Sequence, residues 1–221
     1  MRVVTWNVQT GRPNPDGPAD IDGVVAHLRG LDADVYAVQE LDRARRRSGG
    51  VDQPTALAEG LDGTLVWAPT VHEGGQYGIA LVVRGDVVRS HDVRLSGTRE
   101  PRTLLVAEVD HGGRRWVIGC THLSRRSRFA QGQLLTVLDE LAVRPAPRVL
   151  LGDLNLTPQQ VLPWSTAAGF HLLDGPPTHS TRQPRPTARI DHVLTSGARV
   201  TRAATHHFDV SDHRAVSADL A

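Results

Sequence analysis

The sequence predicts an α/β fold in which two mixed β-sheets pack face to face with helices outside. Two observations predict it. Short apolar runs with strand character outnumber helical patterns, and many neighbouring runs are joined by turns too short for a crossover helix. The strand-like runs, rich in Val, Leu and Ile, are 2–8, 34–39, 64–68, 78–84, 87–95, 103–109, 115–121, 147–152, 190–195, 199–208 and 214–220. Gly85-Asp86 and Gly112-Gly113 have the composition of hairpin turns.

Helical periodicity appears in four places. Residues 20–29 space Ile21, Val24, Val25 and Leu28 along one face, with Asp20 as the cap. Residues 52–59 begin at Asp52 and stop at Gly60. Residues 126–142 carry Phe129, Leu134, Leu135, Leu138 and Leu141 as an amphipathic stripe. A fourth helix begins near Thr157-Pro158, where proline suits the first turn. Pro176, Pro177, Pro184 and Pro186 make 174–189 an irregular surface loop. No repeat or low-complexity tract divides the chain, so one domain is expected over 1–221.

Composition narrows the function. With 221 residues and 39% hydrophobic content, the chain can bury a sizeable core without crosslinks. Its one cysteine, Cys120, rules out an intrachain disulfide. No basic stretch leads into an apolar segment at the start, and no apolar run is long enough to span a membrane, so a cytoplasmic location is expected. The net charge of +1 lacks the bias of a protein that wraps nucleic acid. All 25 basic residues are arginine, which excludes a lysine nucleophile and a phosphate loop ending in Gly-Lys-Ser/Thr. A Gly-x-Ser-x-Gly elbow is also missing.

Polar residues concentrate at the edges of the apolar runs. Asn7 ends the first run and Glu40 the second. His122 follows 115–121, Asp153 and Asn155 follow 147–152, Asp191-His192 opens 190–195, and Asp212-His213 precedes the last run. Strand ends sharing one rim would gather these groups in a cleft. Glu40, Asp153, Asp191 and Asp212 are hard oxygen donors, and Asn7 and Asn155 add amide oxygens. Such a set suits Mg2+ or Mn2+ more than zinc. Each residue also has a plainer reading. Asn7 can cap a turn, Asp153 and Asn155 can form an Asx turn, and Tyr77 can simply pack. Alternation puts His192 on the face opposite Asp191, so His192 is read as a core histidine. His206 and His207 carry no motif and are read as structural or exposed.

The ordered series Thr5-Trp6-Asn7, Gln39-Glu40, Tyr77-Gly78, Thr121-His122-Leu123, Gly152-Asp153-Leu154-Asn155, Ile190-Asp191-His192-Val193 and Ser211-Asp212-His213 resembles the endonuclease/exonuclease/phosphatase superfamily. That group includes DNase I-like nucleases, abasic-site endonucleases, inositol polyphosphate phosphatases and neutral sphingomyelinases. The resemblance implies a four-layered α/β sandwich. It also implies that Glu40, with Asn7 beside it and Asp212 as a further ligand, holds the metal. Asp153 would position and deprotonate water, and Asn155 would hold that water or a phosphoryl oxygen. His213, oriented by Asp191, and His122 would contact the phosphate, and Tyr77 would orient it. Whether the aspartate or the histidine is the base stays open.

The chemistry is coherent on its own terms. Phosphoryl transfer needs neutralised non-bridging oxygens, an aligned water and help for the leaving oxygen. Arginines cluster on rim loops: Arg43, Arg45, Arg46 and Arg47 after Glu40, Arg125, Arg126 and Arg128 after His122, and Arg182, Arg185 and Arg189 before Asp191. They point to an anionic substrate larger than a lone phosphate, with Arg47, Arg102 and Arg125 as candidate contacts. The expected activity is metal-dependent hydrolysis of a phosphate ester, as a phosphodiesterase or phosphatase. A non-specific DNA or RNA nuclease is the alternative. The 4% aromatic content leaves little for stacking bases. A non-catalytic binding module would have lost ligands or aspartate–histidine pairs, and none is lost.

Overall fold

The computed structural model describes residues 1–12, 17–97, 100–179 and 186–221. Twelve strands form two six-stranded sheets. The first sheet contains β1 (Arg2–Asn7), β2 (Val35–Arg43), β3 (Thr64–Val71), β4 (Gln76–Val83), β11 (Val200–His206) and β12 (Ala215–Leu220), in the order β11-β12-β1-β2-β4-β3. The second contains β5 (Asp86–Leu95), β6 (Arg102–His111), β7 (Arg114–His122), β8 (Arg148–Asp153), β9 (His171–Leu172) and β10 (Asp191–Ser196), in the order β5-β6-β7-β8-β10-β9. Each sheet has one parallel pair at its centre, β1 with β2 and β7 with β8, and its other pairs are antiparallel.

Alternation along the strands separates three apolar layers. Val3, Val35, Ala37 and Leu81 of the first sheet meet Ile118, Cys120, Val149 and Leu151 of the second between the sheets. Val4, Trp6, Tyr36 and Val38 face outward, against α1 (Ile21–Leu31) and α2 (Gln53–Gly60). Leu104, Val117 and Leu150 face outward from the second sheet, against α3 (Ser127–Ala142) and α4 (Pro158–Ala167). The result is the expected four-layered α/β sandwich. Central strands covered on both faces read as unbroken apolar runs, which is why 2–8 and 34–39 lacked polar alternation.

Local chemistry sets the helix ends. The Asp20 carboxylate accepts the Gly23 N–H at 2.8 Å. The Asp52 carboxylate accepts the Thr55 N–H at 3.2 Å. Pro158 opens α4, where Thr157 N–H donates to Gln160 Oε1 at 2.9 Å. On α3 the buried stripe is Ala130, Leu134, Val137, Leu138 and Leu141, while Leu135 is exposed. Among the described residues, no helix is long and apolar enough to cross a membrane.

Two turn expectations separate. Gly112 and Gly113, at φ 59° and 74°, form the hairpin between β6 and β7. Gly85-Asp86 is not a hairpin, because β4 lies in the first sheet and β5 in the second. A glycine between two strand-like runs looks the same whether the chain returns beside itself or crosses the sandwich. The two-residue strand β9 escaped notice for lack of length. His192 is fully buried, and burial lowers its pKa to about 4 although the Leu156 carbonyl accepts from Nε2 at 2.8 Å. It is a neutral core histidine, as alternation predicted.

Gly152, at φ 155°, sits where β8 runs beside β7, and a Cβ there would land on the Thr121 carbonyl oxygen. Gly152→Ala should lower unfolding stability by more than about 1 kcal/mol in urea titrations, since both sterics and backbone angle oppose it. A stability equal to wild type would show that this close approach places no demand on the residue.

Candidate active site

Parallel pairing puts the C-terminal ends of β1 and β2 side by side, and likewise those of β7 and β8. Asn7 pairs with Gln39, His122 with Asp153, and antiparallel β10 sets Asp191 against Asp153. The first sheet thus delivers Asn7 and Glu40 to the same rim where the second delivers His122, Asp153 and Asp191. The loop before β12 adds Asp212 and His213.

Specific hydrogen bonds fix the loops of this rim to the strand ends. The Trp6 indole N–H donates to the His213 carbonyl at 3.0 Å. The Ser211 hydroxyl donates to the Asn7 carbonyl at 2.7 Å and accepts the His213 N–H at 3.1 Å. Thr178 Oγ1 accepts the backbone N–H groups of Ile190 and Asp191, each at 3.2 Å. Glu40 lies at a β-bulge between Gln39 and Leu41, with φ 61°. A non-glycine residue held there is strained, and such strain is typical where a side chain is re-aimed at a site.

Asn7 joins the two carboxylates across the seam. Its Nδ2 donates to Glu40 Oε1 and to Asp153 Oδ2, each at 3.0 Å, while its Oδ1 accepts the Gln9 N–H at 3.0 Å. With its oxygen turned to Gln9, Asn7 serves as a holder of carboxylates. Asp153 Oδ1 accepts the Asn155 N–H at 2.9 Å, and Asn155 Nδ2 donates to the Leu123 carbonyl at 3.0 Å. Asn155, at φ 50°, therefore makes the Asx turn and borders the cleft as well.

The electrostatics divide the two histidines. His213 Nδ1 donates to Asp191 Oδ2 at 2.9 Å. Burial alone would lower the His213 pKa, but Asp191, Asp153 and Asp212 outweigh it and raise it to about 10. His122 Nε2 lies 3.4 Å from Asp153 Oδ2. Burial, reinforced by the charges of Arg102, His213 and Arg125, holds its pKa well below the usual histidine value. His213 is thus a cation and His122 a neutral ring. Asp153 is raised to about 6, first by burial and then by Asp191, against the opposing pull of His213 and the Asn7 amide. A group of this kind is ionised at neutral pH yet basic enough to accept a proton.

Glu40, His122, Asp153, Asn155, Asp212 and His213 border one cavity of about 380 Å³, with Arg125 at its margin. Two further polar residues line it that the sequence reading did not single out. The His179 ring lies tilted against that of His213 with centroids 4.2 Å apart, and its Nε2 lies 3.4 Å from Asp212 Oδ2. The Gln9 amide, oriented to satisfy both its atoms, donates to Asp212 Oδ1 at 3.1 Å. Gln9 follows Asn7 by two residues, and His179 sits in a proline-rich loop, so no periodicity marked either. Burial raises the Asp212 carboxyl, but the His179 hydrogen bond and the charges of His213 and His179 prevail and lower it.

Other expected contacts lie elsewhere. Arg47 is a correction: both its Nε and Nη2 donate to Asp42 at 2.7 Å, and its guanidinium covers the Tyr77 ring at 5.1 Å. The Asp42 side chain is fully buried and needs that cation. Arg45 also faces Asp42, and Arg43 pairs with Asp52, so this cluster serves the fold. Arg189 is likewise structural, donating to the carbonyls of Pro176 and Leu173. Arg182 and Arg185 lie outside the described residues, as does Pro184. Tyr77 does not line the cavity. Its pKa is well above the usual value, through burial first and then the Glu40 charge, so the hydroxyl keeps its proton.

Comparison with known proteins agrees with this geometry. A family model described as Endonuclease/Exonuclease/phosphatase family matches residues 4–213. An endonuclease/exonuclease/phosphatase from Beutenbergia cavernae DSM 12333 superposes with a TM-score of 0.83 at 27% identity, covering 100% of this chain and 71% of that one. D. rerio TDP2, solved with a single strand DNA product, gives 0.78 at 18% identity, covering 100% and 98%. The mannosyl-6-phosphatase Bt3783 of Bacteroides thetaiotaomicron VPI-5482 gives 0.74 at 15%, covering 100% and 99%. The last two likenesses show a shared fold. No curated protein sequence matches the chain.

The aspartate–histidine pair yields a direct test. In the metal-free protein at about pH 7.5, both ring nitrogens of His213 should carry protons by 15N NMR. In Asp191→Asn the lost charge lets burial prevail, and the ring should become neutral at the same pH. A neutral ring in wild type, or a cationic one in the variant, would contradict the assignment.

Proposed function

Because this chain belongs to the endonuclease/exonuclease/phosphatase family, we propose that it hydrolyses a phosphate ester with the aid of a divalent cation held by Glu40 and Asp212. The observation that carries this reading is the pairing of an ionised, weakly basic Asp153 with a cationic His213 inside one cavity bordered by those two carboxylates.

The donors fit a hard cation. Glu40 and Asp212 offer carboxylate oxygens, and the lowered pKa of Asp212 keeps it anionic. Asp153, Asp191 and His213 also lie close enough to share an ion, but a protonated His213, with Nδ1 committed to Asp191, has no lone pair to give. When bound, Mg2+ or Mn2+ would neutralise negative charge on the phosphoryl oxygens.

The chain's own residues supply the remainder. Asp153, fixed by Asn7 and by the Asn155 N–H, takes the proton from the attacking water. His213, with Nδ1 committed to Asp191, keeps its Nε2 proton for a phosphoryl oxygen as charge develops. In this reading Asp153 is the base, since His213 is already protonated. Neutral His122 contributes a polar contact near the same Asp153 oxygen that His213 approaches. Asn155 has one amide hydrogen left for the water or the phosphate.

Protein stripped with chelator should lose turnover of bis-p-nitrophenyl phosphate and regain it with Mg2+ or Mn2+. Asp153→Ala and His213→Ala should each lower kcat by roughly 10²–10⁴-fold with circular dichroism unchanged. Full activity in excess chelator, or in Asp153→Ala, would refute the reading.

A further inference from the structure

Beside the catalytic cleft lies a second cavity of about 270 Å³, lined among others by Glu100, Arg102, Ser124, Arg125, Arg126 and Phe129. Arg125 borders both cavities, so they adjoin. Ion pairing separates the arginines of this rim into two kinds. Arg43, Arg45 and Arg47 are matched by Asp52 and Asp42. Neither the Arg125 nor the Arg126 guanidinium has an ion pair or side-chain hydrogen bond among the described residues.

Arg102 is the more telling residue. It begins β6, is only 5% exposed, and its Nε is buried without a hydrogen-bond partner. Its ion pair is to Glu100, an exposed residue, at 3.2 Å. A guanidinium removed from water with a donor unmet is costly unless something else meets it. The cavity it borders also presents two more cations, the Glu100 carboxylate that offsets one of the three, and one phenyl ring. Phe129 gives this space an apolar wall that a free inorganic anion would not use.

We propose that this second cavity is a subsite for a second phosphate group on an organic substrate, bound by Arg102, Arg125 and Arg126 while the scissile phosphate occupies the Asp153–His213 cleft. The proposal rests on the reading of that cleft as a phosphate-ester site. Three guanidinium groups around one cavity offer bidentate donors to a phosphate, and Phe129 packs against the carbon skeleton that joins the two groups. Preferred substrates are then esters with two phosphates about one sugar apart, and a simple monophosphate leaves the annex unfilled.

The test compares thymidine 5′-phosphate with thymidine 3′,5′-bisphosphate by titration calorimetry in chelator, where neither is turned over. The bisphosphate should bind at least about tenfold more tightly to wild type. In the Arg125→Gln/Arg126→Gln double variant that advantage should fall below about threefold, because the exposed side chains can change without disturbing the fold. Arg202→Gln, which removes a charge from β11, should keep the full advantage. Equal affinities in wild type, binding of neither ligand, or an advantage that survives the double variant would each overturn the subsite. Turnover of bis-p-nitrophenyl phosphate, which carries no second phosphate, is measured on the wild-type protein with Mg2+ restored. Its loss sinks the reading of the cleft, whereas equal nucleotide affinities with turnover intact sink the subsite alone.

Discussion

The site depends on one amide. Asn7 Nδ2 lies 3.0 Å from a carboxylate oxygen on each side of the seam, Glu40 of the first sheet and Asp153 of the second. Two carboxylates close to each other repel, and burial penalises the charge of Asp153. Asn7 supplies a neutral donor to each, which lets them approach without a permanent counter-ion between them. Its own placement follows from β1, the strand paired parallel to β2 and packed across the core from β8.

The surrounding charges are arranged to the same end. Asp191 holds His213 as a cation, and that cation restrains the rise in the Asp153 pKa. His122, equally buried but without a carboxylate bound to Nδ1, remains neutral. The difference between two histidines of the same rim therefore comes from their charged neighbours, aspartates around His213 and cations around His122, not from depth. Backbone features serve this arrangement. The bulge at Glu40 turns its side chain towards the rim, and Gly152 lets β8 approach β7 closely enough to set Asp153 beside His122. Trp6 and Ser211 bind the two ends of the chain together, which fixes His213 beside the strand that carries Asn7.

Much of this was legible in the sequence because polar residues at the ends of apolar strands have few structural reasons to be there. Glu40, His122, Asp153, Asn155, Asp212 and His213 were found that way, and all border one cavity. Asp191 and His192 were separated correctly by alternation alone. What the sequence did not reveal depends on partners distant along the chain or on loop geometry. Arg47 reads as a substrate arginine until Asp42 is seen to be buried beneath it. Arg189 reads as a rim cation until its carbonyl partners appear. His179 and Gln9 reach the cleft through turns, where neither period 2 nor period 3.6 applies. The Gly85 crossing between sheets is likewise a matter of layer assignment, which no local pattern encodes.

The central claim is that Glu40 and Asp212, far apart along the chain, converge on a single cation beside Asp153. Anomalous diffraction from crystals soaked in Mn2+ tests it most directly. The account predicts one strong peak within about 2.0–2.6 Å of oxygens from both Glu40 and Asp212, with the His213–Asp191 hydrogen bond intact. A peak seated instead between Asp153 and Asp191, or no peak in the cleft at saturating manganese, would contradict it.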